Sequence, residues 1–351
     1  MSNTDVDAVV IVNGTSPFLD SVFWYLTEQT SGTFEGTMAV ASSKGLDVVV
    51  NQLEETSARG GQGNIHVFRT REEREMILNN VLKGCKRIGM NVHSASYASV
   101  EYIKKMTGSE IVDVTKGIMD TISIKDKKEI EMIRKACNIS SRTARSIPEM
   151  LRDGMTEKDA AFEIDMSMRK QGGEGNAFDT IAAFGEFSAE PHHKPCDRKL
   201  KKGDAALFDF GCKYSMYSSD LTRTVFFGEP PDILKRAYDV VFKAKEAGML
   251  EIKAGADAKN ADLAARKIID GTEFKGRFIH SFGHGIGMDV HEGTSLSHIS
   301  KDVLKENMIV SAEPGIYIPG VGGIRIEDTV LVKKNGCESL TEFNKELMVI
   351  M

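Results

Sequence analysis

The stretch AALFDFGCKYSMYSSDLTR, from Ala205 to Arg223, carries two acids in strand-like surroundings. Asp209 stands inside an apolar run, and Asp220 opens a second β-rich run, Leu221 to Phe227. A carboxylate among apolar side chains must be neutralised or strongly paired, because burying it alone is costly. A hairpin through the turn from Gly211 to Ser219 would bring both acids side by side, and a divalent cation would relieve their repulsion. Alternatively, Asp209 is a turn or cap residue at a strand end; this stretch alone leaves both interpretations open.

Composition narrows the class of protein. The chain has 351 residues, 41% hydrophobic and 27% charged, which predicts two ordinary globular domains. A net charge of −6 argues against nucleic acid or an anionic membrane as the main partner. Five scattered cysteines, an odd number without a C-x-x-C pair, are typical of reduced thiols. Residues 1–5 lack the basic and apolar regions of a signal peptide, so we expect a cytoplasmic protein.

Short apolar runs alternate with amphipathic segments between Asp7 and Ile118, which predicts an α/β layer structure. The predicted strands are Ala8–Val12, Asp47–Val50, Ile65–Phe68 and Lys86–Met90. The predicted helices are Asp20–Leu26, Arg71–Leu82 and Ser96–Met106. The glycine-rich loop from Ser57 to Asn64 lacks the G-x-G-x-x-G spacing of a dinucleotide site.

A boundary near residues 118–125 predicts a domain at 1–122 and a second at 123–351. The second begins with a capping-box pattern at Asp126 and a helix expected to end at Pro148, and Thr156 caps the next helix. A similar helix pair follows, with 101 residues between the matching positions Gly154 and Gly255. Strand-like segments follow each pair, so we expect an internal duplication with pseudo-twofold symmetry.

Further unusual residues follow in the second half of this domain. A histidine stands among glycines in F-G-H-G-I-G at 282–287, where glycine would let the backbone approach a bound group. Two more acids, Glu313 and Glu327, lie in strand-like surroundings, and Glu327 falls within the predicted strand 324–332. The candidate constellation is Asp209, Asp220, His284, Glu313 and Glu327. Four carboxylates and one imidazole without a thiolate favour two ions of Mn²⁺, Co²⁺ or Fe²⁺, with Zn²⁺ as an alternative, and such pairs do hydrolytic chemistry.

Six blocks now carry a family resemblance: S-A-E-P-H-H at 188–193, D-F-G at 209–211, S-D-L-T-R-T at 219–224, G-H-G-I-G at 283–287, E-P-G-I-Y at 313–317 and G-G-I-R-I-E-D at 322–328. The sequence resembles Xaa-Pro dipeptidases (prolidases), Xaa-Pro aminopeptidases and methionine aminopeptidases, which share the pita-bread fold. The resemblance implies an α/β (α+β) protein, with an N-terminal α/β creatinase/prolidase-like domain before a pseudo-twofold pita-bread domain. That N-terminal domain is similar to those of the first two groups, which disfavours a methionine aminopeptidase.

The resemblance also implies roles for individual residues. Asp209 would chelate one metal ion and His284 would bind the other, while Asp220 and Glu327 would bridge both. The remaining roles are those of Glu313 as ligand and proton shuttle, His192 as a group that binds substrate and stabilises the intermediate, and His291 as a contact of the carbonyl or leaving group. A metal-bridging hydroxide would attack the Xaa-Pro bond of dipeptides or short peptides with proline second. A homodimer is implied by the resemblance alone.

One position departs from the family pattern. Many prolidases follow the matching His-Glu pair with x-Pro-Arg, whose arginine grips the dipeptide carboxylate, but Ser295 stands at that position here. A hydroxyl cannot replace the charge-assisted hydrogen bonds of a guanidinium. This favours an aminopeptidase that accepts longer peptides, unless a cation such as Lys194 reaches the carboxylate.

Several neighbouring residues have structural as well as functional interpretations. We expect His280 to pack near the site or support it rather than bind metal, and His298 to lie on the surface; for His193 a plain loop position and a functional role both stay open. Tyr317 and Arg325 would support the site, with Arg325 as an ion-pair partner of a ligand carboxylate. Two alternatives to a peptidase are a metal-free amidinohydrolase resembling creatinase and a non-catalytic binding module on the same fold. Both usually lose the acidic set that this chain keeps, so metal content would discriminate them.

Overall fold

The computed structural model describes residues 5–16 and 18–351, and these divide into two compact units between Thr121 and Ile122. Residues 1–4, on which the predicted absence of a signal peptide largely depends, lie outside the described residues. Within the described ranges, every helix is too short or too polar to cross a membrane.

The first unit is built on one six-stranded mixed sheet with the strand order β4-β3-β2-β1-β5-β6. Its strands are β1 (Ala8–Val12), β2 (Met38–Ser42), β3 (Gly45–Asn51), β4 (Asn64–Phe68), β5 (Arg87–Met90) and β6 (Glu110–Asp113). Its helices are α1 (Ser21–Thr27), α2 (Glu55–Ala58), α3 (Arg71–Val81), α4 (Tyr97–Thr107) and α5 (Thr115–Ile122). The antiparallel pairs β1/β2 and β2/β3 stand beside the parallel pairs β1/β5, β3/β4 and β5/β6.

The predicted elements of this unit agree with the structure to within two residues at each end, so the α/β prediction is confirmed. Two strands and two helices were not predicted. The reason is visible for β6, whose sequence EIVD has only two apolar residues between acids and gives almost no alternation to detect. The helix α5 runs through Ile118, where the sequence suggests only a boundary region.

The second unit contains the two predicted helix pairs and several small sheets. The helices are α6 (Lys127–Met150), α7 (Glu157–Lys170), α8 (Asp232–Leu250) and α9 (Lys259–Asp270). The strands are β7 (Gly175–Asn176), β8 (Ile181–Phe184), β9 (Asp204–Phe210), β10 (Cys212–Tyr214), β11 (Tyr217–Ser218), β12 (Leu221–Phe227), β13 (Ile309–Ala312), β14 (Gly315–Ile318), β15 (Gly322–Arg325), β16 (Asp328–Lys333), β17 (Gly336–Ser339) and β18 (Val349–Ile350). The sheets have the strand orders β18-β12-β9-β8, β11-β10-β7, β13-β16-β17 and β14-β15.

Each helix pair of this unit has a hydrophobic core of its own. Side chains of α6 and α7 pack with Phe208 and Phe210 of β9. Side chains of α8 and α9 pack with Val310 of β13 and Val330 of β16. The order of a helix pair followed by strands therefore occurs twice along the unit.

One predicted helix end is displaced by two residues, and one predicted strand is wrong. The helix α6 does not end at Pro148 but continues to Met150, and Leu151 N–H still donates to Ile147 O at 3.2 Å. Proline removes only one donor from the last turn, and the buried Ile147 side chain keeps that turn packed. The predicted strand 324–332 is two strands, β15 and β16, which belong to different sheets, and Glu327 lies at the break between them.

Candidate metal centre

Strand alternation places the first pair of acids. Phe208 and Phe210 of β9 enter the core beneath α6 and α7, and because successive strand residues point to opposite faces, Asp209 points away from that core. The antiparallel register of β9 and β12 puts Thr222 opposite Asp209, with Asp220 directly before β12. The predicted pairing of these two strands is therefore confirmed.

The second pair of acids comes from strand ends. Glu313 follows β13, and its N–H donates to Phe282 O at 2.8 Å. Glu327 sits between β15 and β16, and its N–H donates to Thr222 O at 3.0 Å. The backbone bond to β12 brings Glu327 to the same strand that follows Asp220.

All the residues predicted for the site line one cavity of about 620 Å³: His192, Asp209, Asp220, His284, His291, Glu313 and Glu327. His284 Nε2 lies 3.1 Å from Glu313 Oε1 and 3.5 Å from Asp220 Oδ2. Ligand atoms of Asp220, His284 and Glu327 all lie within 4.8 Å of one another, close enough to contact a single ion.

The buried acids of the cavity have too few positively charged neighbours to balance their negative charge. Burial, together with the neighbouring carboxylates, raises the pKa of Asp220 and of Glu327 well above the usual range. Burial also opposes ionisation of Glu313, yet its hydrogen bond with His284 lowers its pKa to about 2. Among the described residues, Asp209 Oδ1 and Glu327 Oε1 are buried with no hydrogen-bond partner. Buried acceptors are nearly always satisfied, so two orphans facing one cavity fit oxygen ligands of cations.

The imidazole of His284 is oriented for ligation. Its Nδ1 donates to Gly285 O at 3.1 Å, and its Nε2 faces Glu313 and Asp220, so Nε2 carries a proton in the metal-free protein and is the ring nitrogen that a metal ion would meet. Its backbone N–H donates to Ser311 Oγ at 3.0 Å. Carboxylate neighbours outweigh burial and raise the pKa of His284, led by the hydrogen bond with Glu313.

The glycines around His284 allow a close approach, as predicted, but not to a bound group. A Cβ on Gly283 would lie 2.0 Å from Ser311 O, and one on Gly285 would lie 1.9 Å from Glu292 O. These close approaches are to the chain's own backbone rather than to a bound group. The glycines let the His284 segment pack between β13 and the segment that carries His291.

Arg325 is the predicted ion-pair partner of a carboxylate. Its Nη2 donates to Asp209 Oδ2 at 2.5 Å, and its Nη1 donates to Tyr317 OH at 2.8 Å. Tyr317 OH in turn lies 2.8 Å from His280 Nε2, while His280 Nδ1 lies 2.8 Å from Ser281 O. Burial lowers the pKa of His280, so a neutral ring links this chain of contacts.

The two predicted catalytic histidines both line the cavity, His192 in the segment after β8 and His291 beside His284. The rings of His284 and His291 have centroids 4.2 Å apart. Burial and the neighbouring His284 lower the pKa of His291, which favours its neutral form. Ser295 and Lys194 also line the cavity. His298 is half exposed, as expected for a surface residue.

Sequence reasoning missed one cluster beside the site. His193 is buried and lies 2.7 Å from Glu157 Oε2, which also accepts from Cys196 N at 3.0 Å. Nothing in the sequence around Glu157 distinguishes it from an ordinary acid in the first turn of a helix, here α7. A proximity of residues 39 positions apart cannot be read from local periodicity.

Comparison with known proteins gives a consistent result. The model of metallopeptidase family M24 matches residues 131–334. An Xaa-Pro dipeptidase of Pyrococcus furiosus is 39% identical over 76% of this chain and 77% of its own length. An Xaa-Pro dipeptidase of Pyrococcus horikoshii is 34% identical over 99% of this chain and 96% of its own.

Solved structures resemble the whole chain. The crystal structure of an X-Pro aminopeptidase from Thermotoga maritima has a TM-score of 0.90 at 33% identity and covers 98% of both chains. That of an Xaa-Pro dipeptidase from Bacillus anthracis has a TM-score of 0.91 at 31% identity, covering 98% of this chain and 95% of its own. The expected fold class is thereby confirmed.

Proposed function

The chain belongs to metallopeptidase family M24, and we propose that it is a dinuclear-metal exopeptidase that cleaves Xaa-Pro bonds. The observation that carries the proposal is the single cavity lined by four carboxylates and the imidazole of His284. A metal-free amidinohydrolase and a non-catalytic binding module are not favoured, because the chain keeps the whole acidic set.

The donor set fits divalent cations. We propose as ligands Asp209, Asp220, His284, Glu313 and Glu327. The two partnerless carboxylate oxygens and the raised pKa values of Asp220 and Glu327 support this, because cations would supply the missing partners and positive charge. When bound, two such ions would activate a water molecule and polarise a carbonyl. Oxygen-rich ligation without a thiolate favours Mn²⁺ or Co²⁺.

The protein's own groups then have separate tasks. His291, favoured in its neutral form, can hydrogen-bond the substrate carbonyl without bringing another charge into the cavity. His192 faces the same space and would hold the developing oxyanion or the substrate. Glu313, a carboxylate that lines the same cavity, would accept a proton and pass it to the departing proline nitrogen.

The substrate's length depends on what meets its carboxylate. We propose Xaa-Pro dipeptides as the main substrates, with the Lys194 ammonium at the cavity as the cation that replaces the missing arginine. Ser295 supports a second candidate, an aminopeptidase for longer peptides, because a hydroxyl binds a carboxylate less strongly than a guanidinium does.

The test compares hydrolysis of Leu-Pro with that of Leu-Pro-Ala after chelation and restoration of Mn²⁺ or Co²⁺. Preference for Leu-Pro, with a KM raised by Lys194→Met, supports the dipeptidase. Equal or faster cleavage of the tripeptide supports the aminopeptidase. The absence of metal-dependent cleavage of either peptide would refute both.

We predict that Asp220→Asn lowers kcat by orders of magnitude and weakens metal retention while the fold persists. The amide keeps the shape of the side chain but removes the negative charge that the proposed bridging ligand needs. Metal content by mass spectrometry and far-UV circular dichroism separate the two effects. Wild-type turnover of Asp220→Asn at limiting metal would contradict the bridging role.

We also propose a cytoplasmic location and a homodimer. The five cysteines, all unpaired in the structure, support a reducing compartment. Light scattering of the purified protein measures the mass in solution, and a monomer at working concentration would exclude the dimer.

A further inference from the structure

A second cluster of metal-binding side chains lies beside the carboxylate site. Ligand atoms of Glu157, His193 and Cys196 all lie within 4.8 Å of one another. Glu157 Oε2 is 2.7 Å from His193 Nε2 and 3.1 Å from Cys196 Sγ. None of the three belongs to the carboxylate set proposed above.

The cluster is held by regular structure on one side and by a loop on the other. Glu157 is the first residue of α7 and is fully buried, and its Oε1 accepts from Phe184 N at 2.8 Å. That bond leaves Oε2 facing the loop that carries His193 and Cys196. Cys196 is the partly exposed member, so an ion can reach the cluster from its side.

The ring of His193 is oriented as in a metal-binding histidine. Its Nδ1 lies 2.8 Å from Glu190 Oε2, and the ring of Phe187 stacks on it with centroids 5.0 Å apart. Histidines that bind metals usually donate the other ring N–H to a carboxylate or carbonyl, which fixes the ring and raises its basicity. Nε2 is thereby directed at Glu157 and Cys196.

The protons of the cluster can be exchanged for a cation without a change of net charge. Because both ring nitrogens of His193 face carboxylates, both carry protons, and the Cys196 thiol supplies a third proton towards Glu157. A divalent ion would replace the protons on Nε2 and Sγ, so two positive charges leave as two arrive. A buried cluster can accept such an ion at little electrostatic cost.

We propose that Glu157, His193 and Cys196 bind one Zn²⁺ ion or a similar thiophilic divalent cation, at a site separate from the carboxylate site. Zinc takes sulfur, nitrogen and carboxylate oxygen together, and three protein ligands plus a water complete its tetrahedron. With bonds of about 2.0–2.3 Å, tetrahedral ligand atoms lie roughly 3.3–3.5 Å apart. The present separations of 2.7 and 3.1 Å therefore need to open by only about half an ångström.

The test uses Co²⁺ as a spectroscopic substitute for zinc in the full-length, chelator-treated protein. The carboxylate site contains no sulfur, so a cobalt–thiolate charge-transfer band in the near ultraviolet can arise there from neither ion. We expect the band in the wild type and its loss in Cys196→Ser, which should also bind one zinc fewer per chain. Cys85→Ser, which changes a partly exposed thiol in the other unit, is the matched control and should keep both.

A second variant tests the histidine's orientation. Glu190→Gln keeps all three ligands but weakens the bond to His193 Nδ1, and we expect a loss of zinc affinity of about 10–100-fold. A wild type without the band in excess Co²⁺, or a band that persists in Cys196→Ser, would overturn the proposal and leave a hydrogen-bond network only. Since the test measures metal binding without a substrate, its result does not depend on whether the protein is a peptidase.

Discussion

Arg325→Met is the substitution for which the structure gives the clearest expected magnitude. The guanidinium is almost fully buried and donates to Asp209 at 2.5 Å, to Tyr317 at 2.8 Å and to Thr222 at 3.1 Å. Methionine is unbranched and uncharged and ends near the position of the arginine Nε. The substitution therefore removes the positive charge of Arg325 together with the hydrogen bonds of its guanidinium.

Removing one partner of a buried ion pair costs about 3–5 kcal/mol, because the other charge is left uncompensated. The loss should be at the upper end here, since Asp209 Oδ1 already lacks a partner and two further buried carboxylates feel the same cation. Divalent cations would replace part of the missing charge. We therefore expect the full loss in chelator-treated protein and a smaller loss in the metal-loaded form.

Urea unfolding followed by far-UV circular dichroism measures this, whereas fluorescence of the single tryptophan, Trp24, reports on the other unit. The matched control is Arg236→Met. Arg236 lies 2.7 Å from Glu273, but both side chains are about half exposed and the pair is screened by solvent, so the loss should be much smaller than that of Arg325→Met. If Arg325→Met costs the metal-free protein no more than Arg236→Met, the electrostatic account of the cavity is refuted.

Two other substitutions test the backbone and the surface. Gly283→Ala should destabilise the protein by about 1–3 kcal/mol or more, because the new Cβ would lie 2.0 Å from Ser311 O. Gly336→Ala is the control, because a Cβ there meets open space. Equal unfolding curves for the two variants would contradict this prediction. Glu338 has a pKa lowered to about 2, chiefly by its hydrogen bond with Arg134 at 2.6 Å. The ion pair stabilises the fold above pH 4.5, and this stabilisation is lost as the pH falls towards 2. The difference in unfolding free energy between wild type and Glu338→Gln should be below about 1 kcal/mol at this exposed pair and should shrink over that pH range. A difference that stays constant would argue against the ion pair.

Local signals in the sequence predicted local structure well. Asp126 and Thr156 do cap α6 and α7, each with the reciprocal capping-box bond to the residue three positions on. The apolar alternation around Asp209 gave both the strand and the face that carries the acid. These features depend on a few neighbouring residues, which is why one sequence suffices to read them.

Features that depend on distant partners could not be read in this way. The run that holds Glu327 has apolar, β-forming residues on both sides of the acid and no glycine or proline between Ile324 and Val332, so the sequence gave no sign that β15 and β16 belong to different sheets. The contact of His193 with Glu157 was equally hidden, because neither residue differs from a solvent-facing polar residue in its own segment. In both cases tertiary pairing, rather than local preference, decides the structure.

Glu327 and Asp328 show how fully tertiary context decides the chemistry of adjacent acids. Burial, with Glu313 and Asp209 nearby, raises the pKa of Glu327 well above its usual range. The next carboxylate, Asp328, is just as buried, yet its pKa lies far below its usual range because Arg223 and Lys245 contact it. Since successive residues point to opposite sides, one acid faces the cavity and the other faces a separate buried cluster of cations. Arg223 and Lys245 thus lie on the far side of the backbone from the cavity, and Glu327 Oε1 is left buried without a hydrogen-bond partner among the described residues.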